Sequence, residues 1–331
     1  MMGMAQWGND LYTGKASVPF VRRRRLWFVI AIALIAVSIL APFLRGVEFS
    51  IEFTGGSQFT VSGPSSTDQA IATDVVAEVV PEAEARVTVI GESDIRVQTS
   101  QMTQDETRSV ASALAEAYDV PAAEVADSFI GPTWGADVTR QSLWGLGVFL
   151  ALTFVILAIY FRTWKMSVAA IVGLVDVLVI TIGVYSLAGF EISPAAVIGF
   201  LTILGYSLYD TTVVFDKVRE NTSEDGETST RTFGESVNLG VNQTLIRSIN
   251  TSIVAALPVA AILFIGVFWL GAETLSDISL SIFVGILVAT YSTLFVSAPL
   301  YSLMREREPA IAQRDARVLA ARETARVEAK G

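Results

Sequence analysis

Apolar residues gather in six long runs along the chain, and most charged residues lie in the segments between those runs. The runs cover residues 26–44, 143–161, 167–189, 194–215, 249–270 and 278–304. Each run has at least the length of about 20 residues that an α-helix needs to cross the hydrocarbon core of a bilayer. The pattern therefore predicts a membrane α-helical protein with six transmembrane helices.

Basic residues in the short connecting segments predict the orientation of these helices. Four consecutive arginines, at positions 22–25, precede the first run. Pairs of basic residues follow the second, fourth and sixth runs: Arg162 and Lys165, Lys217 and Arg219, and Arg305 and Arg307. The short segments on the other side, "AGFEIS" and "LGAETLSD", contain no Lys or Arg. Because cytoplasmic loops are enriched in Lys and Arg, we predict a plasma (inner) membrane protein with both termini in the cytoplasm.

The longest polar segment, residues 45–141, follows the first run and is predicted to lie outside the cell. Alternating apolar positions predict strands at "VEFSIEF" and "SQFTVS", around a turn at Gly55 and Gly56 that needs positive φ. They also predict strands at "ARVTVI" and "DIRVQTS", joined by "GES". Helices are predicted over residues 68–80, with Thr67 as N-cap, and over 103–118. The pattern indicates an extracytoplasmic α+β domain, similar to half of a ferredoxin-like fold, between transmembrane helices 1 and 2.

The remaining polar segments are predicted to lie in the cytoplasm. Residues 1–25 form the N-terminal segment, and residues 305–331 form a loose, charged tail. Residues 142–304 hold the other five membrane helices and a cytoplasmic loop at 217–247, which starts polar and ends in a short helix, "FGESVNLGVNQTLI". This topology places Gly63 and Gln101 outside the cell, and Glu227 and Arg314 inside it.

Composition excludes several function classes. The chain is 52% hydrophobic and 17% charged, and its net charge of −10 does not favour nucleic-acid binding. It contains no cysteine and no histidine, so disulfides, thiolate metal sites and the commonest general base are all excluded. No nucleotide-binding G-x-x-x-x-G-K-[ST] motif is present, and "TGGSQ" reads as a turn. We predict a protein that is not an enzyme and needs no cofactor or metal.

Two carboxylates lie inside the apolar runs, where a charge is costly unless it is paired or hydrated. Asp176 lies near the middle of the third run, and Asp210 lies in the inner half of the fourth. Ser207, Asp210 and Thr211 share one helical face, since they lie at i, i+3 and i+4. The fifth run opens with a second polar set: Arg247, Ser248, Asn250, Thr251 and Ser252.

The predicted polar face of the fifth run consists of Arg247, Asn250 and Thr251, by their i, i+3, i+4 spacing. Together with the Asp210 face it suggests a hydrated seam between the fourth and fifth helices. In one interpretation Asp210 and Arg247 form a structural ion pair. In the other, Asp210 is a proton site, since burial favours the neutral carboxyl whereas an approaching Arg247 favours the charged one. Asp176 either belongs to the same relay or bonds to nearby hydroxyls, and Asp216 is interpreted as an interfacial charge.

Four stretches resemble motifs of the SecF family, the smaller of the two partner families in the SecD–SecF export complex. They are "FSIEFTGGSQF" at 49–59, "FRTWKMSVAAIVGLVDVLVITIGVYSL" at 161–187, "GYSLYDTTVVFDKVREN" at 205–221 and "VNQTLIRSINTS" at 241–252. They occur in the family's order, and the resemblance covers about residues 22–305. The chain departs from the family pattern at Ser50 and Glu52, where Gly and Asp are usual, and at Val175, where His is usual.

The resemblance implies one half of a resistance-nodulation-division exporter core, completed by SecD. It implies association with the SecY-containing translocon and use of the proton gradient to help move preproteins across the membrane lipid. Matched to the family motifs, Asp210 falls on the intramembrane acid and Arg247 on the fifth-helix arginine. Phe53, Thr54, Gly55 and Gly56 fall on the motif that opens the outer domain.

Three functions remain open on these grounds. The first is an auxiliary translocase subunit driven by ion flow. The second is a homo-oligomeric small-molecule exporter of the resistance-nodulation-division type, which would have to dimerise because this chain supplies one six-helix half. The third is a passive scaffold in which the polar residues only pack helices together.

Overall fold

The computed structural model describes residues 4–46, 49–90, 94–223, 229–267 and 273–329. In these ranges, six helices are long and apolar enough to cross a membrane. We call them spans 1 to 6: Arg24–Leu44, Thr133–Phe161, Trp164–Ala188, Pro194–Ser223, Phe233–Ile265 and Leu275–Glu306. They confirm the predicted multi-pass membrane protein.

Twelve α-helices and four strands make up the part of the chain that is described. The helices are α1 Met4–Tyr12, α2 Arg24–Arg45, α3 Ile51–Thr54, α4 Gln69–Val79, α5 Gln104–Ala117, α6 Pro132–Phe161, α7 Trp164–Ala188, α8 Pro194–Ser223, α9 Phe233–Ala261, α10 Glu273–Tyr291, α11 Ala298–Glu306 and α12 Pro309–Glu328. The strands are β1 Gly56–Val61, β2 Ala85–Ile90, β3 Asp94–Thr99 and β4 Val125–Ile130. Two π-helical turns, Ile262–Val267 and Ser292–Ser297, interrupt spans 5 and 6.

Span 3 is the most enclosed membrane helix. More than half of its apolar window, 56%, is buried inside the chain, against 11% for span 2 and 17% for span 1. Span 3 is therefore central, while spans 1 and 2 leave most of their apolar side chains uncovered. In a membrane protein such side chains face lipid or a partner helix.

The soluble unit is an antiparallel sheet with strand order β2-β3-β1-β4, and its elements follow the chain order β1, α4, β2, β3, α5, β4. Period-two alternation sends Phe59, Val61, Ile95 and Val97 to one face, where they are fully buried against the helices. The same alternation sends Arg96 and Gln98 to the opposite face, where both contact Glu191 between spans 3 and 4. The sheet thus packs its helices on one side and touches the membrane bundle with the other.

Two predictions for this unit are wrong, and one strand was missed. The "VEFSIEF" strand is absent from its described part, because Ile51–Thr54 is a short helix. There the chain docks on the loop after span 3, where the Ser50 amide donates to the Ile192 carbonyl. The N-cap of α4 is Asp68, whose carboxylate accepts from the Ala70 amide, and not Thr67. Strand β4 was not predicted. Residues 47 and 48, and the "GES" turn at 91–93, lie outside the described residues.

The predicted short helix before span 5 is not a separate element. Helix α9 begins at Phe233, with a capping box between Thr232 and Glu235, and continues without a break into the membrane. Likewise, α8 extends span 4 as far as Ser223. Helices α8 and α9 therefore both extend beyond their apolar runs, α8 at its C-terminal end and α9 at its N-terminal end. Glu227 lies outside the described residues.

The predicted loose tail is also wrong, since residues 309–328 form helix α12. Ile311 and Val318 are buried, although the tail showed little apolar periodicity. The Asp315 carboxylate accepts from the Phe233 amide at 3.0 Å, and Arg322 pairs with Glu235 at 2.6 Å. These polar contacts, made to a segment more than 80 residues away in the chain, hold the tail against the start of α9.

Candidate functional site

The predicted face of span 4 is buried at the centre of the bundle. Ser207, Asp210 and Thr211 are 1%, 4% and 2% exposed, as their i, i+3, i+4 spacing requires. The shared helical face is thus observed, and the role of its side chains stays a prediction. A carboxylate at such a position must find partners within the protein, be protonated or be hydrated.

Asp210 is only half satisfied by the protein. Its Oδ1 accepts a hydrogen bond from the Ser248 hydroxyl of span 5, at 2.8 Å. Its Oδ2 is buried and has no hydrogen-bond partner among the described residues. On the same face, the hydroxyls of Thr211 and Thr293 lie 2.9 Å apart and link span 4 to span 6. Asp210 is thus in contact with span 5 and leaves one acceptor oxygen available.

The predicted polar face of span 5 does not meet Asp210. Arg247 and Asn250 are exposed and Thr251 is half-buried, whereas Ser248 and Ser252 are buried. Span 5 therefore turns the adjoining face inward. No ion pair joins Arg247 to Asp210 in the described part of the chain, and the Arg247 guanidinium instead makes a long contact of 3.4 Å to the Tyr209 hydroxyl. The structural ion pair is not formed.

Span 6 supplies polar groups that were not predicted. Its π-helical turn, Ser292–Ser297, lies opposite spans 3 and 4 and contributes Thr293 to the contact with Thr211. π-Helical turns are rare and are frequent at functional sites. The sequence carries a signal for this region: Thr290, Tyr291, Ser292, Thr293 and Ser297 are five hydroxyl residues within one apolar run.

A second set of hydroxyls lies beside the first. The Ser252 hydroxyl is 2.5 Å from that of Thr290 and 3.2 Å from that of Tyr206. These contacts join spans 4, 5 and 6 through side-chain oxygens alone. Hydroxyls both donate and accept, so they can reverse the direction of their hydrogen bonds at little cost.

Asp176 of span 3 is the least satisfied carboxylate in the bundle. It is 3% exposed, and neither carboxylate oxygen has a hydrogen-bond partner among the described residues. The neighbouring Ser292 hydroxyl does not hold it, because that hydroxyl donates to the Gly173 carbonyl at 3.0 Å. Spans 3 and 6 approach so closely that a Cβ at Gly173 would overlap the Ser297 hydroxyl. Asp176 therefore lies at a tight contact between spans 3 and 6, with no hydrogen-bond partner among the described residues.

We call these side chains, which are buried except for the partly buried Thr290, the polar seam. Its members are Asp176, Ser207, Asp210, Thr211, Ser248, Ser252, Thr290 and Thr293. It joins four spans. No group of three His, Cys, Asp or Glu residues that could hold a metal ion occurs within the described ranges.

The motif at residues 53–56 links the sheet to the bundle. Gly55 and Gly56 have φ of +73° and +137°, which confirms the predicted need for positive φ. A side chain at Gly56 would run into the Thr99 carbonyl of β3. The Phe53 carbonyl lies against Gly135 at the start of span 2, and Thr54 ends helix α3. The motif therefore joins β1 to the entrance of span 2 by close backbone packing.

The loop between spans 3 and 4 makes the second link to the soluble unit. Glu191 accepts a hydrogen bond from Gln98 at 3.1 Å and lies 3.6 Å from the Arg96 guanidinium. Two residues on, the Ser193 hydroxyl donates to the Asp277 carboxylate of span 6 at 2.5 Å. One loop therefore touches the sheet, span 6 and the two spans that carry Asp176 and Asp210.

The helices and the sheet define a multi-pass membrane protein with an additional α+β region that follows span 1. The family model described as "Protein export membrane protein SecD/SecF, C-terminal" matches residues 109–307. The chain belongs to this SecD/SecF family of export membrane proteins.

Relatives place the chain on the SecF side of the family, as its four motifs predicted. "Protein translocase subunit SecF" of Streptomyces coelicolor is 40% identical over 316 residues, which are 95% of this chain and 84% of the relative. The SecF subunit of Mycobacterium tuberculosis (strain CDC 1551) is 40% identical over 322 residues, 94% of this chain and 72% of the relative.

A solved structure has the same fold. The crystal structure of SecDF from Thermus thermophilus, described as a translocon-associated membrane protein, is 30% identical and superposes with a TM-score of 0.77 over 88% of this chain. This chain spans 39% of that longer protein.

Proposed function

We propose that this protein is an auxiliary subunit of the Sec preprotein translocase, which acts with a SecD partner and couples the proton gradient to late steps of export. Its relatives carry the name of a translocase subunit, and the related solved structure is described as translocon-associated. The name SecDF joins both halves in one protein, and this chain matches less than half of it. We therefore infer SecD, a SecY-containing translocon and preproteins as partners.

The observation that carries the proton role is the half-satisfied carboxylate of Asp210. It is 4% exposed, it has one hydroxyl donor and it has no ion pair among the described residues. A buried carboxylate in such surroundings is stable when it is protonated. A seam of reversible hydroxyls around it gives the proton neighbours that can donate or accept.

Arg247 can serve as the conditional partner because it precedes Ser248, the residue that holds Asp210. Consecutive helical residues are about 100° apart around the helix axis. A rotation of span 5 against span 4 would therefore exchange the Ser248 hydroxyl for the Arg247 guanidinium. The cation would favour the charged carboxylate and release the proton, and the reverse rotation would favour uptake.

The soluble unit is proposed to lie outside the cell, in the range 45–141, and to have a ferredoxin-like fold, since its chain order and sheet order match the β-α-β-β-α-β arrangement. Its contacts with Glu191 and Ile192 reach the loop between the two spans that carry Asp176 and Asp210. A proton-driven shift of these spans would therefore move the outer unit. We propose that this movement acts on the emerging preprotein.

Gradient-dependent export by three variants tests the proton role. Asp210→Asn keeps shape and hydrogen bonding but cannot titrate, so we expect insertion and SecD binding without gradient-driven assistance. Arg247→Met should abolish assistance as well, and the double variant should be no worse than either single one, because both changes break one cycle. Asp216→Asn, six residues on, is the matched control: its carboxylate accepts from Tyr160 at 2.9 Å away from the seam, and export should stay near normal.

Three outcomes would contradict the proposal. Near-normal export by Asp210→Asn would remove the proton role. Reduced complex yield in both single variants with recovery in the neutral double variant would instead indicate a structural pair. Co-purification of a homo-oligomer without SecD would favour the small-molecule exporter.

Cysteine labelling tests the orientation, because the chain has no native cysteine. Gln101→Cys should react with an impermeant reagent in intact cells, and Arg314→Cys should react only after the membrane is opened. Labelling of Arg314→Cys in intact cells would contradict the proposed topology.

A further inference from the structure

A groove rich in arginine lies where the N-terminal segment meets α9, α11 and α12. It has a volume of about 750 Å³, which lies in the range of ligand sites. Its walls include Arg22, Arg24, Arg25, Arg231 and Arg322, with Glu235 and Glu306 as the acidic residues. The groove therefore carries three more positive charges than negative ones.

Each of the two acidic residues already forms an ion pair with an arginine of the groove. Glu306 pairs with Arg24 at 2.6 Å, and Glu235 pairs with Arg322 at 2.6 Å. Arg22, Arg25 and Arg231 are exposed, and none of them forms an ion pair with a described residue. Three guanidinium groups are thus left to attract an anion, and a guanidinium is well suited to bind phosphate oxygens.

The groove is continuous with the uncovered surface of span 1. Arg25, Val29 and Ile32 lie at i, i+4 and i+7, so they share one helical face. Val29 and Ile32 are 64% and 65% exposed, and Leu26 beside them is 49% exposed. These side chains would contact acyl chains in a bilayer, and the face they form leads directly to the arginines.

We propose that this groove binds the headgroup of an anionic phospholipid, whose acyl chains lie along the exposed face of span 1. The phosphate is held by Arg22, Arg25 and Arg231. A free phosphate ester would satisfy the same guanidinium groups, but only a lipid also covers the apolar face above them. This inference depends on the chain lying in a membrane and is independent of the proposed proton coupling.

Lipid binding to the purified full-length chain in detergent tests the proposal, with dioleoyl phosphatidylglycerol, dioleoyl phosphatidylcholine and inorganic phosphate as probes in native mass spectrometry. Each arginine near a membrane surface contributes roughly a fivefold factor in affinity for anionic lipid. The triple variant Arg22→Gln, Arg25→Gln, Arg231→Gln should therefore lose on the order of 100-fold for phosphatidylglycerol. Arg231→Gln alone should lose about fivefold, and it tests the site without altering the N-terminal segment.

The matched control removes the same charge outside the groove: Arg23→Gln, Arg317→Gln, Arg326→Gln. It should bind phosphatidylglycerol like the unmodified chain. Equal losses in both triple variants, or equal binding of phosphatidylcholine, would overturn the site. Binding of inorganic phosphate as tight as that of phosphatidylglycerol would overturn the lipid assignment in favour of a soluble anion.

Discussion

The soluble α+β unit, which we call the outer unit after the topology proposed above, and the polar seam differ in how their buried polar groups are bonded. In the outer unit, the Tyr118 hydroxyl is enclosed, donates to the Asp68 carbonyl at 2.8 Å and accepts from the Ala72 amide at 3.1 Å. In the seam, Asp176 has no partner and Asp210 has one, among the described residues. Buried polar groups are normally satisfied, so the seam departs from the general rule where the outer unit follows it.

This difference separates a structure that is fixed from one that can change. A satisfied group adds to stability only in the arrangement that satisfies it. A carboxylate without partners costs free energy in the present arrangement, and that cost falls when a proton or a cation arrives. This difference agrees with the proposal that the outer unit moves as a rigid body and that the seam drives the movement.

The largest effect is expected at Gly56, where the outer unit has no space for a side chain. Gly56→Val places a side chain on the Thr99 carbonyl at a φ of +137°, so it combines a clash with backbone strain of roughly 1–3 kcal/mol. We expect hydrogen exchange in β1 and β3 of the full chain to accelerate and export to fall. Gly63→Val is the control, since Gly63 has φ +60° but nothing within 4 Å of its added Cβ. Equal effects of both changes would mean that strain alone matters at Gly56.

The next variant is expected to be more stable than the unmodified chain. Asp176→Leu removes a buried carboxylate without partners, and leaving such a group unsatisfied costs about 1–3 kcal/mol. The variant should unfold at a higher temperature than the unmodified chain, while gradient-dependent export falls several-fold. A lower unfolding temperature would show that the carboxylate has a structural partner, and the seam would then resemble the outer unit.

Removal of a hydrogen-bonded hydroxyl should lower the stability of the outer unit. Tyr118→Phe takes away the hydroxyl that serves both Asp68 and Ala72, and burial of that hydroxyl already raises the pKa of Tyr118. We expect a loss of about 1–2 kcal/mol in the stability of the outer unit, measured by hydrogen exchange of α4. Tyr12→Phe, at a residue 54% exposed, is the control and should change nothing. An unchanged α4 in Tyr118→Phe would contradict the account.

The smallest effect concerns pH. The Thr103 amide and hydroxyl donate to the Glu106 carboxylate and hold the pKa of Glu106 below its usual range. A lowered folded-state pKa gives a contribution that is present above the unfolded-state value of about 4.3 and is lost as the pH falls through the folded-state value. The protection of the first turn of α5, which is its exchange rate relative to the intrinsic amide rate at the same pH, should therefore fall in acid, and Glu106→Gln should remove that loss of protection. Persistence of the dependence in Glu106→Gln would assign it to another group, and Glu116→Gln is the control.

The sequence alone was sufficient to predict the membrane spans and the helical face that carries Asp210. Long apolar runs predict membrane helices from composition alone, and the spacing of Ser207, Asp210 and Thr211 depends only on the helical period. The face of span 5 could not be predicted in this way. In the present arrangement its orientation depends on distant contacts, since Asn238 and Asn242 bind the backbone of Val21 and Val18, more than 200 residues away in the chain.

Other elements also depend on contacts that no local pattern records. Ile51–Thr54 alternates like a strand, but it docks on the loop at Ile192 and folds as a helix. The tail has polar anchors, Asp315 and Arg322, so its helix shows little apolar periodicity. Within the site, the π-helical turn of span 6 was missed, although its cluster of hydroxyl residues was visible in the sequence.

The central claim is that Asp210 gains and loses a proton as the gradient acts. Infrared difference spectroscopy of the complex in proteoliposomes, with and without a proton gradient, measures this directly through the protonated-carboxyl band. We predict a band that responds to the gradient, is missing in Asp210→Asn, persists in Asp216→Asn and no longer responds in Arg247→Met. A gradient-responsive band that remains unchanged in Asp210→Asn would contradict the account.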